Sequence, residues 1–143
     1  MTTPDNITPL IRRLSTTDPD GSSWIDLASD PASVQELGRA IANVLQDANL
    51  DAVLGWWAPD EAVLAHTIAA ALQVPRSSAE LDLGLISVSP RLPAASRVLV
   101  VATTFDTRTP RDPLAAILEG DGHTLVATVE LRANDGARIT RLP

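Results

Sequence analysis

The sequence predicts an α/β fold in which helices cover a mostly parallel sheet that has an antiparallel hairpin at one edge. Three observations lead to this class. Apolar runs without charge, such as residues 98–101, are typical of strands that are buried on both faces. These runs alternate with helical stripes, as they do in βαβ units. A turn sequence, Asn-Asp-Gly at 134–136, then joins the last two extended segments as a hairpin.

The first 55 residues predict two helices and two extended segments. Apolar residues at helical spacing predict a short helix over residues 7–14. Residues 16–23 have turn composition, and residues 24–27 are a short extended segment. An Asp-Pro pair at 30–31 supplies the N-cap and first position of a long helix that packs on one side. Residues 51–55 form a buried strand.

The remainder alternates in the same way. A helix over residues 59–72 begins with Pro-Asp-Glu and is apolar nearly all round, so we expect it to be deeply buried. Residues 83–88 are extended, and the strand at 98–101 runs into a polar loop. Asp112 and Pro113 then cap a helix over residues 114–119. A last long strand follows at 124–131.

Composition limits the function. At 143 residues the chain fits one domain, and its net charge of −7 argues against nucleic acid and anionic membranes as partners. The absence of cysteine removes disulfide and thiolate chemistry, and all eleven basic residues are arginine. The first residues have neither a basic nor an apolar region, so we expect no signal peptide. No apolar run reaches the ~18 residues of a membrane span. We therefore expect a cytoplasmic protein.

The order and spacing of three segments resemble the type I phosphoribosyltransferase family, and its orotate phosphoribosyltransferase branch in particular. The segments are "SSWIDLASDPASVQELGRAIANVL", "DAVLGWWAPDEAVLAHTIAAALQVPR" and "RVLVVATTFDTRTPRDPLAAILEGDGHTLVATVEL". The resemblance implies a single Rossmann-like domain over residues 1–143. Within it, about 1–30 would be an N-terminal helix and hood-like segment, about 31–132 the core, and about 124–143 the terminal hairpin.

The family transfers a ribose phosphate from phosphoribosyl pyrophosphate (PRPP), using Mg²⁺, and its signature is altered here. Its carboxylate pair at a strand end corresponds to Ala102 and Thr103, which carry no charge. The nearest acid in the loop is Asp106. Because hard cations such as Mg²⁺ prefer carboxylate oxygens, the change weakens the expectation of a metal site. We predict no metal ligands elsewhere in the chain.

The family's glycine-rich phosphate loop corresponds to residues 107–110. Arg108 cannot adopt glycine-only conformations at low cost, and Pro110 has no N–H to donate. The candidates for a rebuilt anion site are Asp106, Thr107, Arg108, Thr109 and Arg111. Threonine hydroxyls and two guanidinium groups would then replace the backbone cradle.

The family's pyrophosphate loop corresponds to Gly55, Trp56 and Trp57. The two tryptophans either stack on a base or fill an emptied pocket or interface, and the second interpretation is favoured because aromatic rings pack well. The family's flexible loop, which in the orotate branch carries lysines that act across a dimer, falls between Arg76 and Arg97. Arg76 and Arg91 are the candidates there, and no lysine exists to play that role.

Three hypotheses follow. The first is a phosphoribosyltransferase-like protein that has lost PRPP-dependent catalysis and serves as a binding or regulatory module, as a homodimer or with another protein. The second is an active, divergent orotate-type transferase of pyrimidine nucleotide synthesis or salvage. In it, Mg²⁺ would be needed, the loop at Asp106 would hold the ribose phosphate, and Arg76 and Arg91 would hold pyrophosphate. The third is a sensor of a nucleotide phosphate.

Overall fold

The computed structural model describes residues 6–143, and its centre is a six-stranded sheet with the order β5-β4-β3-β6-β7-β8. The four inner strands are parallel, and each edge strand is antiparallel to its neighbour. The strands are β3 (Ala52–Trp56), β4 (Arg76–Asp82), β5 (Leu85–Ser89), β6 (Arg97–Ala102), β7 (Thr124–Arg132) and β8 (Gly136–Arg141). The predicted α/β class with a mostly parallel sheet is confirmed. The first five residues, which begin the predicted N-terminal segment and bear on the signal-peptide prediction, lie outside the described residues.

Within the described residues, four helices flank the sheet, and a small hairpin lies between the first and second of them. The helices are α1 (Ile7–Leu14), α2 (Pro31–Val44), α3 (Pro59–Leu72) and α4 (Arg111–Gly120); a 3₁₀ turn spans Gln46–Ala48. The hairpin consists of β1 (Ser15–Thr17) and β2 (Ser23–Ile25), joined by the predicted turn. Among residues 6–143, no helix is long and apolar enough to cross a membrane.

Alternate residues of the central strands enter two separate cores. On one face, Leu99 and Val101 of β6 pack with residues of α1, α2 and α3. On the other, Val98 and Val100 pack with α4. Both faces of β6 are therefore dry, which explains why this strand is an unbroken aliphatic run.

Helix α3 approaches the sheet and α2 closely because glycines face it. A Cβ on Gly55 in β3 would lie 2.7 Å from the Cβ of Ala65, and a Cβ on Gly38 in α2 would lie 2.7 Å from that of Thr67. The sequence predicted that α3 is buried all round, but this prediction was wrong. Val63 and His66 lie on an exposed side, because α3 is an outer helix with α2 and the sheet on only part of its surface.

Two local predictions were wrong. The segment after Arg76 was expected to hold one extended stretch, but it forms a hairpin of β4 and β5, which makes a second antiparallel edge. Helix α4 begins at Arg111, and its N-cap is the extended Pro110, which makes no side-chain capping hydrogen bond. Asp112 and Pro113 lie in the first turn instead, where proline is tolerated because its missing N–H needs no helical partner.

Candidate functional site

The crevice at the carboxyl ends of β3 and β6 is the candidate site. From β3 the chain crosses to β4 on one side, whereas from β6 it crosses to β7 on the other. Ligands of open α/β sheets bind where neighbouring strands lead in opposite directions in this way. A cleft of about 400 Å³ lies here, and its lining is Trp56, Trp57, Ala58, Glu61, Ala79, Glu80, Leu81, Thr103, Thr104, Asp106, Arg108 and Thr109.

A carboxylate from a neighbouring helix lies at the end of β6. Glu61, in the first turn of α3, accepts hydrogen bonds from the Thr103 backbone N–H at 2.9 and 3.1 Å and from the Thr103 hydroxyl at 2.5 Å. Thr103 is one of the two positions where the sequence lacks the expected acid. A carboxyl group from α3 thus lies where the end of β6 lacks an acid.

Burial raises the pKa of Glu61 above its ordinary value, because the side chain is only 7% exposed and loses hydration when charged. The hydrogen bonds from Thr103 act in the opposite direction, since they stabilise the carboxylate. Asp60 and Asp106 add further repulsion that favours the protonated form. Glu61 is therefore a buried acid with a raised pKa, in contact with the loop.

A second carboxylate reaches the same loop from β7. Glu130 lies beside Ala102 in the register of β6 and β7, and its Oε2 accepts the Phe105 backbone N–H at 2.8 Å. The Thr104 hydroxyl donates to the same oxygen at 3.5 Å. Both positions that lack an acid, Ala102 and Thr103, are therefore adjacent to a carboxylate from another element.

The third carboxylate belongs to the loop itself. Asp106 Oδ1 accepts the backbone N–H of Arg108 at 2.8 Å and that of Thr109 at 3.1 Å. The Thr109 hydroxyl closes the turn by donating to the Thr104 carbonyl at 2.7 Å. The Arg108 N–H is the main cause of a lowered pKa for Asp106, so this group is a stable anion.

Together these contacts fill the loop with the chain's own anions. Four backbone N–H groups donate to carboxylates: those of Thr103, Phe105, Arg108 and Thr109. A phosphate loop binds its ligand through just such N–H groups. In this chain a phosphate would have to displace or compete with carboxylates that already accept those hydrogen bonds.

The three predicted pyrophosphate-loop residues have different surroundings. Gly55 is buried within β3, and its missing side chain makes room for Ala65 of α3. Trp56 is 3% exposed and packs in the core on the α4 side, where its Nε1 has no hydrogen-bond partner among residues 6–143. Trp57 is 70% exposed at the mouth of the cleft. Only Trp57 therefore offers an open ring face.

The predicted arginines do not gather in the cleft. Arg76 pairs with Val53 at the amino end of β3, and Arg91 follows β5, which runs back toward that same end. Both lie at the opposite end of the sheet from the loop at Asp106. Arg111 forms an exposed ion pair with Asp112 at 3.1 Å. Arg108 is the predicted arginine that lines the cleft.

The donor set does not fit Mg²⁺. Within residues 6–143 no three histidine, cysteine, aspartate or glutamate side chains are grouped so that they would hold a metal ion. At least one oxygen of each carboxylate nearest the loop accepts a backbone N–H, which leaves fewer of the oxygens that Mg²⁺ prefers.

Sequence reasoning missed Glu61 and Glu130. Glu61 stands in a helical first turn, where an acid is already explained by the helix dipole, so nothing in the sequence points to a partner 42 residues away. Glu130 gives a weak signal, because it is the one acid in the otherwise uncharged run "TLVATVEL".

Comparison with known proteins finds similarity in structure alone. No protein-family model matches the sequence, and no curated protein matches it. Among solved structures, the chain is similar to adenine phosphoribosyltransferase from Thermoanaerobacter pseudethanolicus, with 14% identity, a TM-score of 0.69, and coverage of 86% of each chain. It is similar to orotate phosphoribosyltransferase from Mycobacterium tuberculosis, with 19% identity and a TM-score of 0.58, over 87% of this chain and 81% of that one.

The UMP synthase of Leishmania donovani also matches, with 20% identity and a TM-score of 0.59. The match covers 87% of this chain and 30% of the UMP synthase. The chain therefore has the phosphoribosyltransferase fold, as its motif order predicted. Because both adenine and orotate types match, the orotate-type assignment stays a prediction.

Proposed function

We propose that this protein is a binding or regulatory module with a phosphoribosyltransferase fold that does not catalyse transfer from PRPP. The observation that carries the proposal is the internal occupation of the loop after β6. Four of its backbone N–H groups, those of Thr103, Phe105, Arg108 and Thr109, donate to Glu61, Glu130 and Asp106 rather than standing open for a phosphate. We place the module in the cytoplasm, in line with its composition.

The charge around the cleft supports the proposal. Three acids, Glu61, Glu80 and Asp106, line it beside a single arginine, Arg108. PRPP carries phosphate groups on both sides of its ribose, so its approach would bring like charges together in a partly desolvated crevice. The net charge of −7 over the whole chain adds to this repulsion.

The catalytic alternative lacks its second group of residues. An orotate-type transferase would need Arg76 and Arg91 near the cleft to hold pyrophosphate. The register of the strands brings both arginines to the amino end of β3, whereas the cleft lies at the carboxyl end. The absence of lysine also leaves nothing to act in the way that the family's flexible-loop lysines do. These facts favour the non-catalytic module.

A transferase assay tests the proposal. The protein is incubated with PRPP and Mg²⁺ and with either orotate or adenine, and release of pyrophosphate is followed. We expect no release above the rate without protein, because the phosphate-binding groups are occupied. Release that depends on the base and rises in proportion to protein concentration would contradict the proposal. An active orotate phosphoribosyltransferase, assayed in the same mixture, controls for the reagents.

A further inference from the structure

We propose that a groove between β5 and α4 binds a free aliphatic amino acid, at a site separate from the cleft beside the loop after β6. The groove has a volume of about 530 Å³, which is within the range of small-ligand pockets. None of its lining residues lines that cleft. The inference therefore holds whether or not the cleft is catalytic.

The groove exists because one face of the sheet is only partly covered. Helices α1, α2 and α3 pack in the core on one face, whereas α4 is the one helix among residues 6–143 in the core on the other. Helix α4 packs beside β7, so Ile86 and Val88 on the edge strand β5 remain half-buried. With Leu92 and Ile117 they give the groove an aliphatic wall. An apolar ligand that covers this wall removes its surface from water.

Three polar side chains, those of Arg91, Asp121 and His123, also line the groove. Arg91 follows β5, Asp121 follows α4, and His123 directly precedes β7. Strand β5 and helix α4 both run back from the carboxyl end of the parallel strands, and β7 starts at their amino end. The topology therefore brings a cation, an anion and an imidazole to the same end of one apolar groove.

These polar groups are available to a ligand. Neither Arg91 nor Asp121 forms a side-chain hydrogen bond or an ion pair with any of residues 6–143. The Ser96 backbone N–H donates to His123 Nδ1 at 3.1 Å. The neutral imidazole therefore has its proton on Nε2, and this N–H has no acceptor in the described part of the chain.

A free aliphatic amino acid complements every one of these groups. Its carboxylate accepts hydrogen bonds from the Arg91 guanidinium and from His123 Nε2, and its ammonium group pairs with Asp121. Its side chain covers the aliphatic wall. A phosphate or a fatty acid carries negative charge alone, so it would leave Asp121 facing an anion without a partner. The charges of both signs therefore favour a zwitterion with an apolar side chain.

The first test is a calorimetric titration of the wild type with L-leucine and three analogues. We expect saturable binding of leucine at one site. 4-Methylpentanoate lacks the ammonium group, 3-methylbutylamine lacks the carboxylate, and L-alanine lacks most of the apolar side chain. Each should bind at least about tenfold more weakly, because one contact is lost. No saturable binding of leucine at millimolar concentration would overturn the proposal, and so would equal affinity for 4-methylpentanoate.

The second test removes the two charges one at a time. Arg91→Gln and Asp121→Asn should each weaken leucine binding at least about tenfold. Arg138→Gln and Asp135→Asn are the matched controls, because they remove the same charges from exposed positions that do not line the groove. The controls should bind leucine as the wild type does. Equal affinity of all four variants would overturn the proposal.

The third test locates the ligand without a substitution. Leucine is titrated into the wild type labelled with ¹⁵N, and the backbone amide resonances are followed by NMR. We expect shifts in residues 86–92 and 117–123, which border the groove. Shifts confined to residues 103–109 would put the amino acid in the cleft and would overturn the proposed site. None of these results depends on the outcome of the transferase assay.

Discussion

At the scale of single residues, three carboxylates organise the loop after β6. They accept backbone N–H groups of the loop, whereas the family's pattern has its acids at the end of the strand. Glu61 and Glu130 approach Thr103 and Phe105 from other elements, and Asp106 caps its own turn. Each accepts at least one backbone N–H, so four N–H groups of the loop already have acceptors within the chain. The acids that the sequence lacks at Ala102 and Thr103 are thus present in space but directed to the backbone.

The raised pKa of Glu61 gives a prediction at this scale. In the unfolded chain an ordinary glutamate titrates near 4.5, and in the folded protein its pKa is higher. The folded state therefore binds more protons in the window above 4.5, and stability from this group falls as pH rises through the folded pKa. Glu61→Gln removes this dependence.

The measurement is the melting temperature of wild type and Glu61→Gln as a function of pH. The difference in melting temperature, wild type minus variant, should have its largest value below pH 4.5. It should decrease as pH rises toward neutrality. A difference that stays constant over this range would contradict the buried, raised-pKa environment of Glu61. An increase with pH would contradict it more strongly, because it would require a lowered pKa.

At the scale of elements, the packing of α3 on α2 and β3 depends on two glycines without space for a side chain. Gly38→Ala would put a Cβ 2.7 Å from that of Thr67 and 2.9 Å from its backbone. We expect a loss of about 1–3 kcal/mol in the free energy of unfolding, since overpacked interfaces must shift apart.

Gly120→Ala is the matched control, because it is also helical but has open space around its Cβ position. It should leave stability unchanged or raise it by up to about 1 kcal/mol, through the better helix propensity of alanine. Urea unfolding of the two variants beside the wild type measures both effects. Equal effects of the two substitutions would show that Gly38 is not needed for close packing.

Elements with a strong periodic or aliphatic pattern were predictable, and elements held mainly by neighbours were not. The stripe of α1, the Asp30 cap of α2 and the aliphatic run of β6 all formed as predicted. β4 did not look like a strand because "RSSAELD" lacks apolar alternation. It is ordered between β3 and β5, and the buried Ser77 hydroxyl donates to the Pro90 carbonyl at 2.7 Å.

At the scale of the whole molecule, the sheet topology determines which predicted residues meet. Asp106, Arg108 and Thr109 line one cleft with Trp57, because the loops after β3 and β6 are neighbours at the carboxyl end of the sheet; their role in holding an anion stays a prediction. The sequence analysis grouped Arg76 and Arg91 with them because the resemblance assigned those positions to a loop over the site. The β4-β5 hairpin instead carries both to the far end of the sheet. Contacts such as Glu61 with Thr103 depend on tertiary packing and had no local signal.

The most direct test of the account is a calorimetric titration of PRPP with Mg²⁺ into wild type and Asp106→Ala, with Asp112→Ala as a control for the lost charge. We predict no saturable binding to wild type or Asp112→Ala. Asp106→Ala should bind at least as well as wild type, because it frees the N–H groups of Arg108 and Thr109. Tight binding to wild type that Asp106→Ala abolishes would contradict the account. Asp106 would then be needed for ligand binding, instead of occupying the N–H groups that a ligand would use.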